Sequence, residues 1–163
     1  MGTVWWVNAP APPKPRHRDA TASAMHGVLE GLRIVIVDDD ADARELLLTL
    51  LVKRSAEVFD AETANEAFEL VKRERPDVLI SDIAMPEQDG YTLIGRVRAL
   101  PEEEGGQTPA VAVTAYAGSA DRKRALEAGF NAHYAKPIDV DSLIDHLLDI
   151  RSALSLGPAP QKA

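Results

Sequence analysis

The sequence predicts an α/β domain with a doubly wound sheet of five parallel strands. Three observations carry that expectation. Between Arg33 and Leu154, short aliphatic runs alternate five times with stretches of helical periodicity, the order that produces a parallel sheet with helices on both faces. The run Val78-Leu79-Ile80-Ser81 is mostly apolar and bounded by turn chemistry, as expected of a strand buried on both sides. Several of the runs end on acidic, hydroxyl or basic residues. In open parallel sheets, reactive groups collect at the carboxyl edge of the strands.

Met1 to Glu30 shows no periodicity. Residues 1–30 are expected to form a linker, Pro-rich at Ala9-Pro10-Ala11-Pro12-Pro13-Lys14-Pro15, where such composition favours an extended chain. Trp5-Trp6 stands out within it and carries no assigned role. The domain is placed at 31–155. Arg33 to Val37 is the first strand, running into Asp38-Asp39-Asp40. Ala43, Leu46, Leu47, Leu50 and Leu51 recur at helical spacing. Glu57 to Ala61 is the second strand. Thr63 and Glu66 read as a capping box for a helix burying Ala64, Ala67, Phe68 and Val71, stopped by Pro76. The third strand is Val78 to Ser81. Tyr91 to Leu100 reads as a helix with Ile94 and Val97 inward, ended by Pro101, and Glu102 to Pro109 as an acidic loop. Ala110 to Val113 is the fourth strand, ending at Thr114. Asp121 to Ala128 is a short, poorly apolar helix with Gly129 as its C-cap. Ala132 to Ala135 is the fifth strand, followed by Lys136-Pro137. Val140, Leu143, Ile144, Leu147 and Leu148 mark the last helix, Asp141 to about Leu154. Gly157-Pro158 breaks it, leaving a loose tail over 156–163.

Composition narrows the function. The chain has 163 residues, 45% hydrophobic with only 5% aromatic, which suits one domain with an aliphatic core. Its net charge is −8 and no basic stripe is visible, which argues against nucleic-acid binding, because neutralising phosphates needs clustered Lys and Arg. There is no cysteine, so disulfides and thiol catalysis are excluded. No apolar run reaches the length of a membrane span, and the N-terminus lacks the basic-then-apolar order of a signal peptide. The expected location is cytoplasmic.

Strand ends that share one sheet edge bring Asp38, Asp39, Asp82, Thr114 and Lys136 together. Three clustered carboxylates repel one another and call for a cation, and an oxygen-rich site with few protein ligands suits Mg²⁺. Lys136 adds a point positive charge, and Thr114 can hydrogen-bond an oxyanion. Asp82, on the central strand, is the candidate nucleophile for a phosphoryl group. Taken singly, each residue has a plainer explanation: the Asp run a helix start, Thr114 a strand end, Lys136 a surface residue. All five falling at the ends of the right strands is what favours the site.

These residues stand in motifs, Val37-Asp38-Asp39-Asp40, Asp82-Ile83-Ala84-Met85-Pro86 with Asp89-Gly90, Val113-Thr114-Ala115 and Ala135-Lys136-Pro137. The chain from about Leu32 to Leu154 thereby resembles the receiver domain of two-component response regulators. The resemblance implies a flavodoxin-like sheet ordered 2-1-3-4-5. It implies that Asp82 accepts a phosphoryl group from a phosphohistidine donor, a sensor histidine kinase or a histidine phosphotransfer protein. It further implies that Asp38, Asp39, Asp82 and the backbone carbonyl of Ala84 hold Mg²⁺, and that Thr114 and Lys136 contact the phosphoryl group. The family's switch aromatic falls at His133, with Tyr134 one place out of register on the opposite side of the strand. The usual threonine–aromatic coupling therefore does not carry over directly, and His133 is expected to be a satisfied, half-buried strand residue. The stretch Gly129 to Pro137 looks like receivers attached to hybrid sensor kinases.

On this reading the chain is a phosphorylatable signalling module, not an enzyme in the ordinary sense, with no room after the last helix for an effector domain. It is either a stand-alone protein or the receiver piece of a hybrid kinase, and a homodimer is left open. The rival is an aspartyl-phosphate hydrolase acting on a small phosphorylated substrate. Such enzymes place a second acid two residues after the nucleophile, where this chain has Ala84. A pseudo-receiver is disfavoured because no site residue is missing. Ala84 and Tyr116 are expected to flank the phosphoryl group. Ala84 offers nothing to orient an attacking water and Tyr116 is bulky enough to crowd it, so the phosphorylated form is expected to be long-lived.

Overall fold

The structure, a computed structural model, describes residues 3–4, 27–115 and 118–155. The expectations for Trp5-Trp6, the Pro-rich run, Tyr116 and the tail 156–163 fall outside the described residues. Five parallel strands, β1 (Arg33–Val37), β2 (Glu57–Ala61), β3 (Val78–Asp82), β4 (Ala110–Thr114) and β5 (Ala132–Ala135), lie in the order 2-1-3-4-5. The helices are α1 (Ala41–Val52), α2 (Ala64–Glu74), α3 (Gly90–Arg98), α4 (Ser119–Ala128) and α5 (Val140–Ser155).

Alternation along the strands divides the core into two layers. Val35, Val37, Phe59, Ala61, Leu79, Ala110 and Ala112 face α2, α3 and α4. Ile34, Ile36, Val58, Val78, Ile80, Val111 and Val113 face α1 and α5. β3 and β4 are buried along their whole length. α4 contributes only Ala125 to the buried set, in keeping with its poorly apolar sequence. Among the described residues, no helix is long and apolar enough to cross a membrane.

The observed elements depart from the sequence reading in physically explicable ways. Thr3–Val4 forms a short strand antiparallel to β2, with Thr3 opposite Asp60 and Val4 opposite Phe59. Two residues carry no periodicity, and only the open edge of β2 makes them a strand. Leu29 is fully buried and its N–H donates to the Arg54 carbonyl at 2.9 Å, so the packed core draws on residues inside the expected linker 1–30. The capping box of α2 is displaced: Thr63 accepts from Glu66 N–H, but the Glu66 carboxylate accepts from Glu62 N–H at 3.0 Å. α3 begins at Gly90, with Asp89 as N-cap accepting from Thr92 N–H at 2.8 Å. α4 begins at Ser119, two residues earlier than expected.

Gly90 has a positional reason. A Cβ there would lie 2.5 Å from the Asp82 carbonyl oxygen and 2.8 Å from Ile83 Cα, both backbone atoms that cannot step aside. The start of α3 is thus seated directly on the end of β3. Gly90→Ala is expected to destabilise the fold by about 1–3 kcal/mol through overpacking, measured by urea unfolding; an unchanged midpoint would show that the two backbones separate freely.

Candidate functional site

The carboxyl edge of the sheet carries the site. β1 runs into Asp38 and Asp39, and the loop is tightly tied. Asp38 N–H donates to Ala61 O at 3.3 Å, the Asp38 carboxylate accepts from Asp40 N–H at 2.9 Å, and Asp40 caps α1 by accepting from Asp42 and Ala43 N–H. The third acid of the run is therefore a helix cap. Asp82 is the last residue of β3 rather than the residue after it, and its carboxylate accepts from Ile83 N–H at 2.7 Å.

One carboxylate oxygen from each of Asp38, Asp39 and Asp82 lies within 4.8 Å of the others. Asp82 is buried, Asp38 half-buried and Asp39 exposed. Lys136 reaches in from the end of β5, across a cis peptide to Pro137, and its Nζ donates to Asp38 Oδ2 at 2.7 Å and to Asp82 Oδ2 at 3.3 Å. The loop that carries it is held by Lys136 N–H donating to the Thr114 carbonyl at 2.8 Å.

The electrostatics follow from that crowding. Burial pushes the Asp82 carboxyl up, and the charge of Asp38 adds to the push; the charge and hydrogen bond of Lys136 and the Ile83 N–H oppose it without cancelling it. For Lys136, burial works downward, but the hydrogen bond to Asp38 and the charges of Asp38 and Asp82 outweigh it, so its pKa is raised. The ammonium stays protonated beside its acids. Three carboxylates against one ammonium leave a deficit of positive charge. The donor set holds oxygen only, and the exposed Asp39 lets water complete a coordination shell. A hard divalent cation of the Mg²⁺ type fits these residues.

The remaining expected residues are placed as follows. Thr114 is the last residue of β4 and is buried. Ala84 is exposed, two residues beyond Asp82. His133 pairs with Ala112, short of the site edge. It is half-buried as expected, but its Nε2 is buried with no hydrogen-bond partner among the described residues. Among the described residues the expectation of a satisfied histidine is not met: its neighbours Ala132 and Tyr134 pack on the α1–α5 layer, so the imidazole faces the opposite, aliphatic side. Tyr134 hydrogen-bonds His146 Nδ1 at 3.0 Å, away from the acids.

Two features escaped the sequence reading. An apolar cavity of about 280 Å³ lies between α1 and α5, with Asp38, Asp82 and Lys136 at its polar end and Leu47, Leu50 and Ile144 among its walls. Arg44, on α1, donates to the Asp38 backbone carbonyl. Its one sequence signal was an isolated cation in the opening turns of a helix that follows three acids.

The model of the response regulator receiver domain matches residues 34–148. The chain belongs to that family. It is a receiver domain of phosphorelay signalling. This receiver is 50% identical over 116 residues to an uncharacterized 14.6 kDa protein of Leptolyngbya boryana, covering 71% of this chain and 87% of that one. It is 28% identical over 142 residues to hybrid signal transduction histidine kinase D of Dictyostelium discoideum, covering 83% of this chain but 9% of the kinase. The receiver domain of the Arabidopsis thaliana histidine kinase CKI1, crystallised with Mg²⁺ and BeF₃⁻, superposes with a TM-score of 0.68 at 26% identity, covering 80% of this chain and 97% of that one.

Proposed function

We propose that this receiver takes a phosphoryl group onto the Asp82 carboxylate from a phosphohistidine donor, on a histidine kinase or a histidine phosphotransfer protein, and that the modified form changes partner binding. The observation that supports this most is the arrangement of Asp38, Asp39 and Asp82 with carboxylate oxygens within 4.8 Å of one another, Asp38 and Asp82 bridged by the Lys136 ammonium. An Asp82 oxygen forms the bond to phosphorus while the nitrogen–phosphorus bond of the donor breaks, and the imidazole departs with the electron pair. Lys136 is already hydrogen-bonded to the nucleophile and is free to turn toward the incoming oxygens. Asp38, Asp39, Asp82 and the Ala84 carbonyl would hold Mg²⁺, which when bound neutralises charge on the transferring group. Thr114 would bind a phosphoryl oxygen, and with His133 would carry the switch. Ala84 stands where a hydrolase of this chemistry carries its second acid, which supports a receiver over turnover of a small substrate. Incubation with Mg²⁺ and a small acyl phosphate, followed by intact mass, tests the reading: one added phosphate is expected, and steady hydrolysis of the donor with no labelled protein would overturn it.

The metal assignment has its own test. A ligand that binds only the folded state raises stability by mass action. Millimolar Mg²⁺ is expected to raise the melting temperature of the unmodified protein, and Asp39→Ala to remove most of that rise. Asp39 is exposed, so the substitution itself should cost the fold little. An equal rise in both proteins would reject Asp39 as a ligand.

A further inference from the structure

We propose that Arg44 is a positioning residue for the acid pair, holding the peptide between Asp38 and Asp39 so that both carboxylates turn into the pocket. The inference rests on the cation-binding reading above. The Arg44 side chain is only 11% exposed, and three of its nitrogens have separate acceptors. Nη1 donates to the Asp38 carbonyl oxygen at 2.7 Å, Nε to Asp60 Oδ2 at 3.1 Å, and Nη2 to Glu62 Oε1 at 3.1 Å. One planar group thus joins the end of β1, strand β2 and the β2–α2 loop. Only a guanidinium fork meets three such directions at once; an ammonium is a point donor.

The contact with the Asp38 carbonyl gives the network a role beyond stability. That oxygen belongs to the peptide whose N–H is that of Asp39. Fixing its plane constrains ψ of Asp38 and φ of Asp39, and so the directions in which the two side chains leave the backbone. Adjacent like charges splay apart when left free. A cation site needs them converging, and Arg44 meets that orienting cost during folding rather than during binding. Asp60 is the anchor: it is 8% exposed on β2, the strand whose edge receives Thr3–Val4.

The test separates positioning from plain stabilisation. Mg²⁺ is titrated calorimetrically into the full chain as wild type, Arg44→Lys, Arg44→Gln and Arg33→Gln. Arg33 makes a comparable network with Glu57 and Glu74 at the other end of the sheet, so Arg33→Gln reports loss of such a network away from the acids. Groups that orient metal ligands typically change metal affinity by about ten- to a hundredfold when removed. Arg44→Gln is expected to weaken Mg²⁺ binding within that range and Arg44→Lys by roughly tenfold, with the Asp39 amide resonance displaced in both. Arg33→Gln is expected to lower the melting temperature while keeping the wild-type dissociation constant. Should Arg44→Gln fail to fold, Arg44→Lys carries the test. Arg44 variants that bind Mg²⁺ as wild type does, or an equal weakening in Arg33→Gln, would overturn the positioning role while leaving the cation site standing. A wild type that binds no Mg²⁺ would overturn the reading on which the inference rests, and the inference with it.

Discussion

Asp82→Asn is expected to gain no phosphate from Mg²⁺ and a small acyl phosphate, under conditions that label the wild type once. The amide is the same size as the carboxylate and keeps one oxygen to accept from Ile83 N–H, now 2.7 Å from Asp82 Oδ1, while its NH2 replaces Oδ2, leaving Lys136 with Asp38. What it loses is the charge and the nucleophilic oxygen. The fold should therefore survive, and stability should respond in a particular direction. Burial and Asp38 raise the Asp82 carboxyl above its ordinary value of 3.8. A carboxyl raised in the folded state releases its proton more readily when unfolded. Stability from this group is thus full below 3.8 and is lost as pH rises through the raised folded value. The asparagine has no such ionisation, so the cation-free variant should be at least as stable as wild type at neutral pH. Intact mass and urea unfolding check the two halves. Labelling of the variant to the wild-type level would move the phosphoacceptor to another residue, and a large loss of stability would show that the charge at Asp82 is structurally required.

Much of this architecture was legible because each strand is short, aliphatic and followed by a distinct stop. Ile34 to Val37, Val78 to Ile80 and Ala110 to Val113 have no polar face, so they read as buried on both sides, and they are. The acids at their ends were legible for the same reason: charge stands out where an apolar run stops. Contacts set only by the tertiary fold were not. The strand pairing of Thr3–Val4 depends on an open edge of β2, which no local pattern announces. Arg44 reads as an ordinary helix-surface cation until β2 places Asp60 3.1 Å from its Nε. The His133 nitrogen that finds no partner among the described residues depends on which layer the imidazole enters, and a four-residue strand of mostly intermediate burial does not declare its faces in sequence. Helix ends moved by one or two residues because caps, not periodicity, decide them.

Lys136→Met is expected to be the most destabilising substitution at the site, by about 2–3 kcal/mol at neutral pH without divalent cation. The thioether fills the same channel but leaves Asp38 and Asp82, with side chains 13% and 8% exposed, without their shared ammonium. Removing one partner of a buried pair costs more than the pair contributes, because the remaining charge is left desolvated. The Lys136 side chain is itself 24% exposed, so water relieves part of the loss, which places the figure below that of a fully buried pair. The pH dependence separates this account from lost packing. Lys136 opposes the upward push on the Asp82 carboxyl through both its charge and its hydrogen bond. Without it that carboxyl rises further and takes up a proton more readily as pH falls, relieving the repulsion. The gap between variant and wild type should therefore narrow on going from about pH 7 to about pH 4.5. On the alkaline side the sign reverses. The raised lysine contributes fully below its ordinary value of 10.5 and loses that contribution as pH climbs through the raised folded value. Wild type should thus keep its full advantage from neutral pH up to strong alkali and lose it there, in addition to the narrowing in acid. Urea unfolding of the two proteins across this range provides the measurement. A gap that stays constant from acid to alkali would mean that Lys136 acts by packing its methylene chain, and that the charge balance assigned to Asp38 and Asp82 is wrong.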